Sequence, residues 1–232
     1  MSKILLINPN KWGRGITHIW IATHSNILKK NGHTVELFDS TFYSDWSDHE
    51  IEFSTKTQMF QKSDYKKFVS FKTSSVHIDL QRKIDEFRPD IIFWSAISSH
   101  IHAEGEYVNI QYGHDLLRNI NSYKAIKITG GLQATASPNL VLKNLSKIDY
   151  LIRGESELVL TEIANKINNK ETFLGIDGIT YLEDKKLVEN KKQKIINNLD
   201  ILSPYDYDIF DDKTFYRAYN GKVVRAVDYE LS

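Results

Sequence analysis

Four stretches of this chain gather small, hydroxylic or amide residues of the kind that line a ligand crevice, and each follows an apolar run. The first is Asn8-Pro9-Asn10-Lys11-Trp12-Gly13-Arg14-Gly15. Its Gly13-x-Gly15-x-x-His18 spacing is close to a dinucleotide fingerprint, with Asp39 placed as a ribose-binding acid would be. Two features weaken that reading: the third glycine is a histidine, and the first lies about five residues past the apolar run, beyond the tight turn a pyrophosphate needs. The second stretch is Ser95-Ala96-Ile97-Ser98-Ser99-His100-Ile101-His102. Its hydroxyls can hydrogen-bond a ligand and its small side chains leave room for one; Ser98 or Ser99 can equally cap a helix. His100-x-His102 reads as a metal pair without an evident third ligand, or as solvated loop histidines. The third is Gly130-Gly131-Leu132-Gln133-Ala134-Thr135, where paired glycines allow close approach to bare backbone or simply a turn of positive φ. The fourth, Arg153-Gly154-Glu155-Ser156-Glu157, places acids at a helix start, where capping and the helix dipole favour them.

The elements that position these stretches follow from hydrophobic patterning. Lys3–Pro9 (KILLINP) is a short apolar run without helical spacing and reads as a buried strand. Ile16–Lys30 carries Ile16, Ile19, Trp20, Ile27 and Leu28 on one helical face, and Asn31-Gly32 stops it. Thr34–Asp39 is a second strand. Val76, Leu80, Ile84 and Phe87 recur at helical intervals up to Arg88-Pro89. Asp90–Ser98 is a third, nearly all-apolar strand, and Tyr107, Ile110, Leu117 and Ile120 mark the next helix. Ala125–Thr129, helix Asn139–Leu145 after Pro138, strand Tyr150–Arg153 and a helix through Leu160, Ile163, Ala164 and Ile167 complete five β-α units. Continuous apolar strands alternating with amphipathic helices predict a doubly wound, five-stranded parallel sheet of flavodoxin or Rossmann type. Such sheets bind ligands at the carboxyl edge of their strands, where all four stretches fall.

Composition narrows the chemistry. The 232 residues carry 30 Lys+Arg and 30 Asp+Glu, and no cysteine. Zero cysteine excludes a disulfide scaffold, a thiolate zinc site, a cysteine nucleophile and a protein-held iron–sulfur cluster. Balanced charge argues against a dedicated nucleic-acid binder. The run Ile4–Ile7 is too short for a membrane span or a signal segment. The expectation is a cytoplasmic protein that binds a small molecule or another domain.

Two segments break the repeat. Residues 40–75 form a long insertion in which Phe42, Tyr43, Trp46, Phe53, Phe60, Tyr65, Phe68 and Phe71 are interleaved with charges; it reads as a packed excursion, a lid or a docking surface. Beyond residue 170, Gly178–Asn190 reads as a small hairpin, Asn198–Phe210 as an extended linker and Gly221–Ser232 as the start of another strand. The expected division is therefore a binding domain over 1–170 and a hairpin and lead-in over 171–232.

In their order, KILLINP, KKNGHTVELFD, RPDIIFWSAIS, KITGG, YLIRGESE and LDILSPYDYDIF resemble the amino-terminal cobalamin-binding domain of B12-dependent radical SAM enzymes. The resemblance covers nearly the whole chain. The wider cobalamin-binding family carries D-x-H-x-x-G, S-x-L and G-G after its first, third and fourth strands. The matching stretches here are Asn8-x-Asn10-x-x-Gly13, Ser95-x-Ile97 and Gly130-Gly131. The resemblance implies that cobalamin binds with its benzimidazole tail detached from cobalt and lying in the sheet crevice, where Ser95, Gly130 and Gly131 line the tail channel. Ser98, Gly154 and Glu155 stand beside them as candidate contacts.

The histidine that ligates cobalt in the wider family falls at Asn10. An amide is a poor cobalt ligand beside imidazole, so a base-off, His-off mode is expected, with Ile97 among the side chains shielding the lower face. The resemblance further implies a radical SAM domain in cis, opening on C-x-x-x-C-x-x-C after Ser232, that holds a [4Fe–4S] cluster and S-adenosylmethionine. The cysteine-free chain cannot hold that cluster. It is therefore expected to bind cobalamin without turnover, as the front part of a parent whose reaction is methyl transfer. Two other readings stay open: a nucleotide- or nucleotide-sugar-binding Rossmann half-domain with phosphate at Gly13–Gly15, and a ligand-free interaction module that uses residues 40–75.

Overall fold

The computed structural model describes residues 1–47, 63–96, 109–121, 124–193, 195–202, 204–219 and 221–229. Five parallel strands form the centre: β1 (Lys3–Asn8), β2 (Thr34–Asp39), β3 (Ile91–Ala96), β4 (Ile126–Gly131) and β5 (Tyr150–Ile152). Their spatial order is β2-β1-β3-β4-β5. The winding reverses between β1 and β3, as the β-α repeat implies. The hairpin read at Gly178–Asn190 does not stand apart. Its strands β6 (Ile179–Glu183) and β7 (Lys186–Glu189) continue the sheet to seven, β6 pairing antiparallel to β5 with Leu151 opposite Thr180. The sequence shows two amphipathic segments there, but which edge they join is a tertiary matter.

Both faces of the sheet are covered, and strand alternation assigns each residue to a layer. Ile4 and Leu6 of β1, Ile91 and Phe93 of β3, and Ile128 of β4 pack beneath α1 (Ile19–Lys30) and a long helix at Glu157–Asn168. Leu5, Ile7, Ile92 and Trp94 face the opposite layer, with helices at Val76–Phe87, Ile110–Leu117 and Pro138–Asn144. Taking the helices in chain order, α2 is Tyr65–Phe68, α3 is Val76–Phe87 and α4 is Ile110–Leu117. A five-residue helix that the sequence analysis did not foresee, α5 (Leu132–Ala136), follows β4 directly; α6 is Pro138–Asn144 and α7 is Glu157–Asn168.

Trp94 anchors the second layer. It is fully buried, and its indole Nε1–H donates to the carbonyl of Ile110 at 3.0 Å. The ring lies flush against Gly113 of α4: a β-carbon there would come within 2.7 Å of Trp94 Cε2. Gly113→Ala should therefore force the indole or the helix aside and cost about 2 kcal/mol by overpacking. Urea unfolding followed by tryptophan fluorescence reads this as a lowered midpoint at unchanged slope; an unchanged midpoint would count against the packing described.

The segment expected as an extended linker is instead folded onto the first layer. Leu199–Leu202 and Tyr207–Ile209 are 3₁₀ turns. Asp206 accepts hydrogen bonds from Ser25 Oγ and Lys29 Nζ of α1, both at 2.6 Å. Beyond it, β8 (Tyr216–Tyr219) pairs antiparallel with β9 (Lys222–Arg225) as a separate hairpin. The strand expected within Gly221–Ser232 is thus the second arm of that hairpin.

Candidate ligand-binding site at the carboxyl edge of the sheet

Ser95 and Gly130 are register partners on β3 and β4, and the next pair is Ala96 with Gly131. Two of the stretches singled out by sequence thus meet side by side. Gly131 has φ 99°, a conformation that favours glycine. Its carbonyl accepts Thr135 Oγ1–H at 3.0 Å, and the same hydroxyl oxygen accepts the N–H of Gly154 at 2.9 Å. Thr135, on the short helix α5, therefore ties the fourth and fifth strand ends together. Gly154 also needs its φ of 82°, and a β-carbon there would press on Gln193 Nε2 at 2.8 Å. Glu155 is exposed at the rim, as are Leu132 and Leu158. Ile97, Ser98, His100 and His102 lie outside the described residues.

The seam has a floor. A β-carbon built on Gly130 would stand 3.5 Å from Phe93 Cζ and 3.5 Å from Ser156 Oγ. Ser156 precedes α7 with helical backbone angles (φ −95°, ψ −12°) and makes no side-chain cap bond. Its hydroxyl instead meets His24 Nε2 at 2.9 Å. The His24 imidazole is fully buried, stacks on Phe93 with centroids 5.0 Å apart, and places Nδ1 2.6 Å from the Trp20 carbonyl. Because a carbonyl only accepts, Nδ1 carries the proton and Nε2 accepts from Ser156. Burial keeps this ring neutral by lowering its pKa, against the opposing pull of Glu157. In the sequence, the Arg153–Glu157 stretch reads as helix capping. Its partner lies 132 residues away, and a lone histidine on an apolar helix gives no sign of a distant hydroxyl.

The first loop is organised differently. Asn8 is fully buried; its Nδ2–H donates to Asp39 Oδ1 at 3.2 Å, while its Oδ1 has no partner among the described residues. Asn10 is committed to its own loop, its Nδ2–H donating to the Arg14 carbonyl at 2.8 Å and its Oδ1 accepting the Trp12 N–H at 2.8 Å. Gly13, at φ 71°, packs against Phe71. A β-carbon on Gly15 would fall 2.7 Å from Thr214 Cα. The chain's own backbone thus fills the place where a pyrophosphate would approach Gly15.

That cover is latched. Asp228 Oδ2 accepts from Thr17 N–H and Oγ1–H at 2.7 and 2.8 Å and from the Arg217 guanidinium at 2.7 Å. Tyr207 donates its hydroxyl to the Asp228 carbonyl at 2.7 Å. Burial alone would raise the Asp228 carboxyl, but Arg217 and Thr17 hold it below the usual range. Beneath the latch, burial raises the Asp39 carboxyl, opposed by bonds from Thr41 and Asn8.

Five parallel strands whose winding reverses between β1 and β3, covered by helices on both faces, define the class of fold: a doubly wound α/β domain. No family model matches the chain. Among curated proteins, an uncharacterized methyltransferase of Pyrococcus horikoshii is 28% identical over 131 residues, which are 56% of this chain and 27% of that protein. The anaerobic magnesium-protoporphyrin IX monomethyl ester cyclase of Rubrivivax gelatinosus is 23% identical over 95% of this chain and 35% of its own. Among solved structures, the radical S-adenosylmethionine methyltransferase TsrM of Kitasatospora setae, solved with cobalamin and a [4Fe-4S] cluster bound, aligns with TM-score 0.57 and 18% identity over 85% of this chain and 30% of its own. The cobalamin-dependent radical enzyme OxsB aligns with TM-score 0.53 and 16% identity over 90% of this chain and 24% of its own. The chain thus shares its fold with one part of cobalamin-dependent radical SAM enzymes, as the sequence resemblance implied, and spans about a third or less of the proteins it matches. Among the described residues, no helix is long and apolar enough to cross a membrane.

Proposed function

We propose that this domain binds cobalamin in a base-off, His-off mode and presents it to a radical SAM domain of the same parent protein, in which the corrinoid serves methyl transfer. The observation that carries the reading is the pairing of Ser95 with Gly130, knitted through Thr135 to Gly131 and Gly154. It brings small residues together at two adjacent strand ends, over the Phe93 ring and the Ser156 hydroxyl, at the edge where a ligand of this fold is expected. The fold shared with TsrM and OxsB supports the ligand class. When bound, the corrinoid supplies a cobalt centre able to carry a methyl group. This chain's residues hold it: Ser95 and the glycines along the tail, Asn8 with an unpartnered buried oxygen at the switch point, Glu155 at the rim. The His-off mode follows from Asn10, whose amide is spent at both ends within its own loop.

The test is direct. The purified chain is mixed with hydroxocobalamin and desalted, and its visible spectrum is recorded. Retained colour with a base-off spectrum is expected. Colourless protein, or a spectrum with imidazole nitrogen on cobalt, would overturn the reading.

A further inference from the structure

We propose that the amino edge of the sheet carries a second binding site, for a small carboxylate with an apolar body. This edge is at the opposite end of the strands from the proposed cobalamin site. A cavity of about 470 Å³ opens there, a size within the range of small-molecule sites. Its apolar lining comes from Pro89 and Ala125 just ahead of β3 and β4, from Ile126 at the start of β4, and from Ile167 near the end of α7. Backbone hydrogen bonds fix this frame. The Asp90 carbonyl accepts the Ile126 N–H at 2.9 Å, and the Asp90 N–H donates to the Lys3 carbonyl at 2.8 Å.

Two exposed cations, Arg88 and Lys124, line the same cavity. Among the described residues neither side chain makes an ion pair or a hydrogen bond. Asp90, the acid in this lining, has its Oδ2 engaged by the Lys3 N–H at 2.7 Å. A neighbouring cavity of about 460 Å³ shares Lys124, Ala125 and Ile126, but its other cation, Lys127, is spent on Asp149 at 2.8 Å. Arg88 is also kept at a conformational cost. It ends α3 in the left-handed region, at φ 51° and ψ 65°, where glycine sits without strain. The dipole of α3 favours a cation at this end, but a basic residue in the last turn would satisfy it without strain. Nor does the dipole explain a second unengaged cation at Lys124. An apolar floor beside two such cations selects a ligand with one anionic head and a short hydrocarbon or aryl body. The planar guanidinium of Arg88 offers the paired donors that suit a carboxylate.

Calorimetric titration of the full chain with octanoate, 1-octanol and acetate tests the proposal. Octanoate should bind saturably. For want of the charge, 1-octanol should bind about twentyfold more weakly, and acetate, which lacks the apolar body, should not bind measurably. Lys124→Gln should weaken octanoate about fivefold, the scale of one exposed ion pair, and leave 1-octanol unchanged. Arg88→Gly should do the same while keeping the urea midpoint at or above the wild-type value, because glycine relieves the left-handed backbone. That combination separates a ligand contact from a structural one, since a loosened fold would lower the midpoint and weaken both ligands together. Absence of octanoate binding, equal affinity for octanoate and 1-octanol, or wild-type octanoate affinity in both variants overturns the proposal. None of these outcomes bears on the cobalamin reading, whose residues lie at the other end of the strands.

Discussion

Lowering the pH from 7 to about 4.5 should remove about 2.5 kcal/mol of folding free energy through His18 alone. This imidazole is buried at the start of α1, and burial pulls it from the ordinary 6.5 down to about 4; the Asp228 carboxylate opposes the shift and the Arg217 guanidinium reinforces it. The unfolded chain takes up a proton near pH 6.5, whereas the folded chain refuses it until about 4. Between those values the unfolded state binds more protons, so stability is fully present above 6.5 and drains away as the pH falls. Burial also lowers His24 and His33, so they act in the same direction. Asp39, raised by burial, acts in the opposite one. Urea unfolding at the two pH values measures the loss, and His18→Gln, which does not titrate, should reduce it by about 2.5 kcal/mol while the other groups keep their share. A wild-type profile flat from 7 to 4.5, or a variant with an undiminished slope, would contradict this account.

The second large effect is on binding. Gly130→Ala should leave the fold nearly as stable as before yet weaken cobalamin binding by about a hundredfold. The new methyl would stand 3.5 Å from Phe93 and Ser156, an ordinary van der Waals separation, and alanine restricts the unfolded chain more than glycine does. The same methyl would take the space that Phe93 and Ser156 must yield for a ligand group to reach this strand end, and overpacking of that kind costs up to about 3 kcal/mol. Gly131→Ala is the informative contrast. Its φ of 99° strains any side chain, so that variant should lose stability along with affinity. If Gly130→Ala binds hydroxocobalamin like the wild-type chain in the same titration, the seam is not where the tail lies.

Much of this architecture is legible in the sequence because parallel strands must be apolar on both faces. The run around Ile4–Ile7 and the run Ile91–Trp94 have no other place to go than a covered sheet. Val76–Phe87 was readable to the residue, since its apolar spacing and Arg88-Pro89 agree on one helix and one stop. The glycines at 130 and 131 announced a special strand end because few other roles need two adjacent residues without side chains. What escaped is long-range and polar. The Asp206 bonds to Ser25 and Lys29 turn an apparent linker into a packed strap across α1, yet an Asp between two tyrosines looks like any solvated turn. Gly15 likewise resembled part of a phosphate loop. Its small size serves Thr214, a residue almost two hundred positions away that no local pattern connects to it.

The strand order also governs how the molecule comes together. Ile4 of β1 pairs with Ile91 of β3, so the middle of the sheet is joined by residues far apart along the chain, whereas Thr180 and Glu189 of the β6–β7 ribbon meet within ten residues. Loop-closure entropy delays the first kind of pairing and barely touches the second. Local helices and the ribbon are thus expected to form early, with the β1–β3 junction as the slow step. Ser95 and Gly130 acquire their neighbours only after that junction has formed. A cofactor resting there joins a finished sheet and cannot nucleate it, so refolding should proceed at the same rate with or without the corrinoid in the buffer.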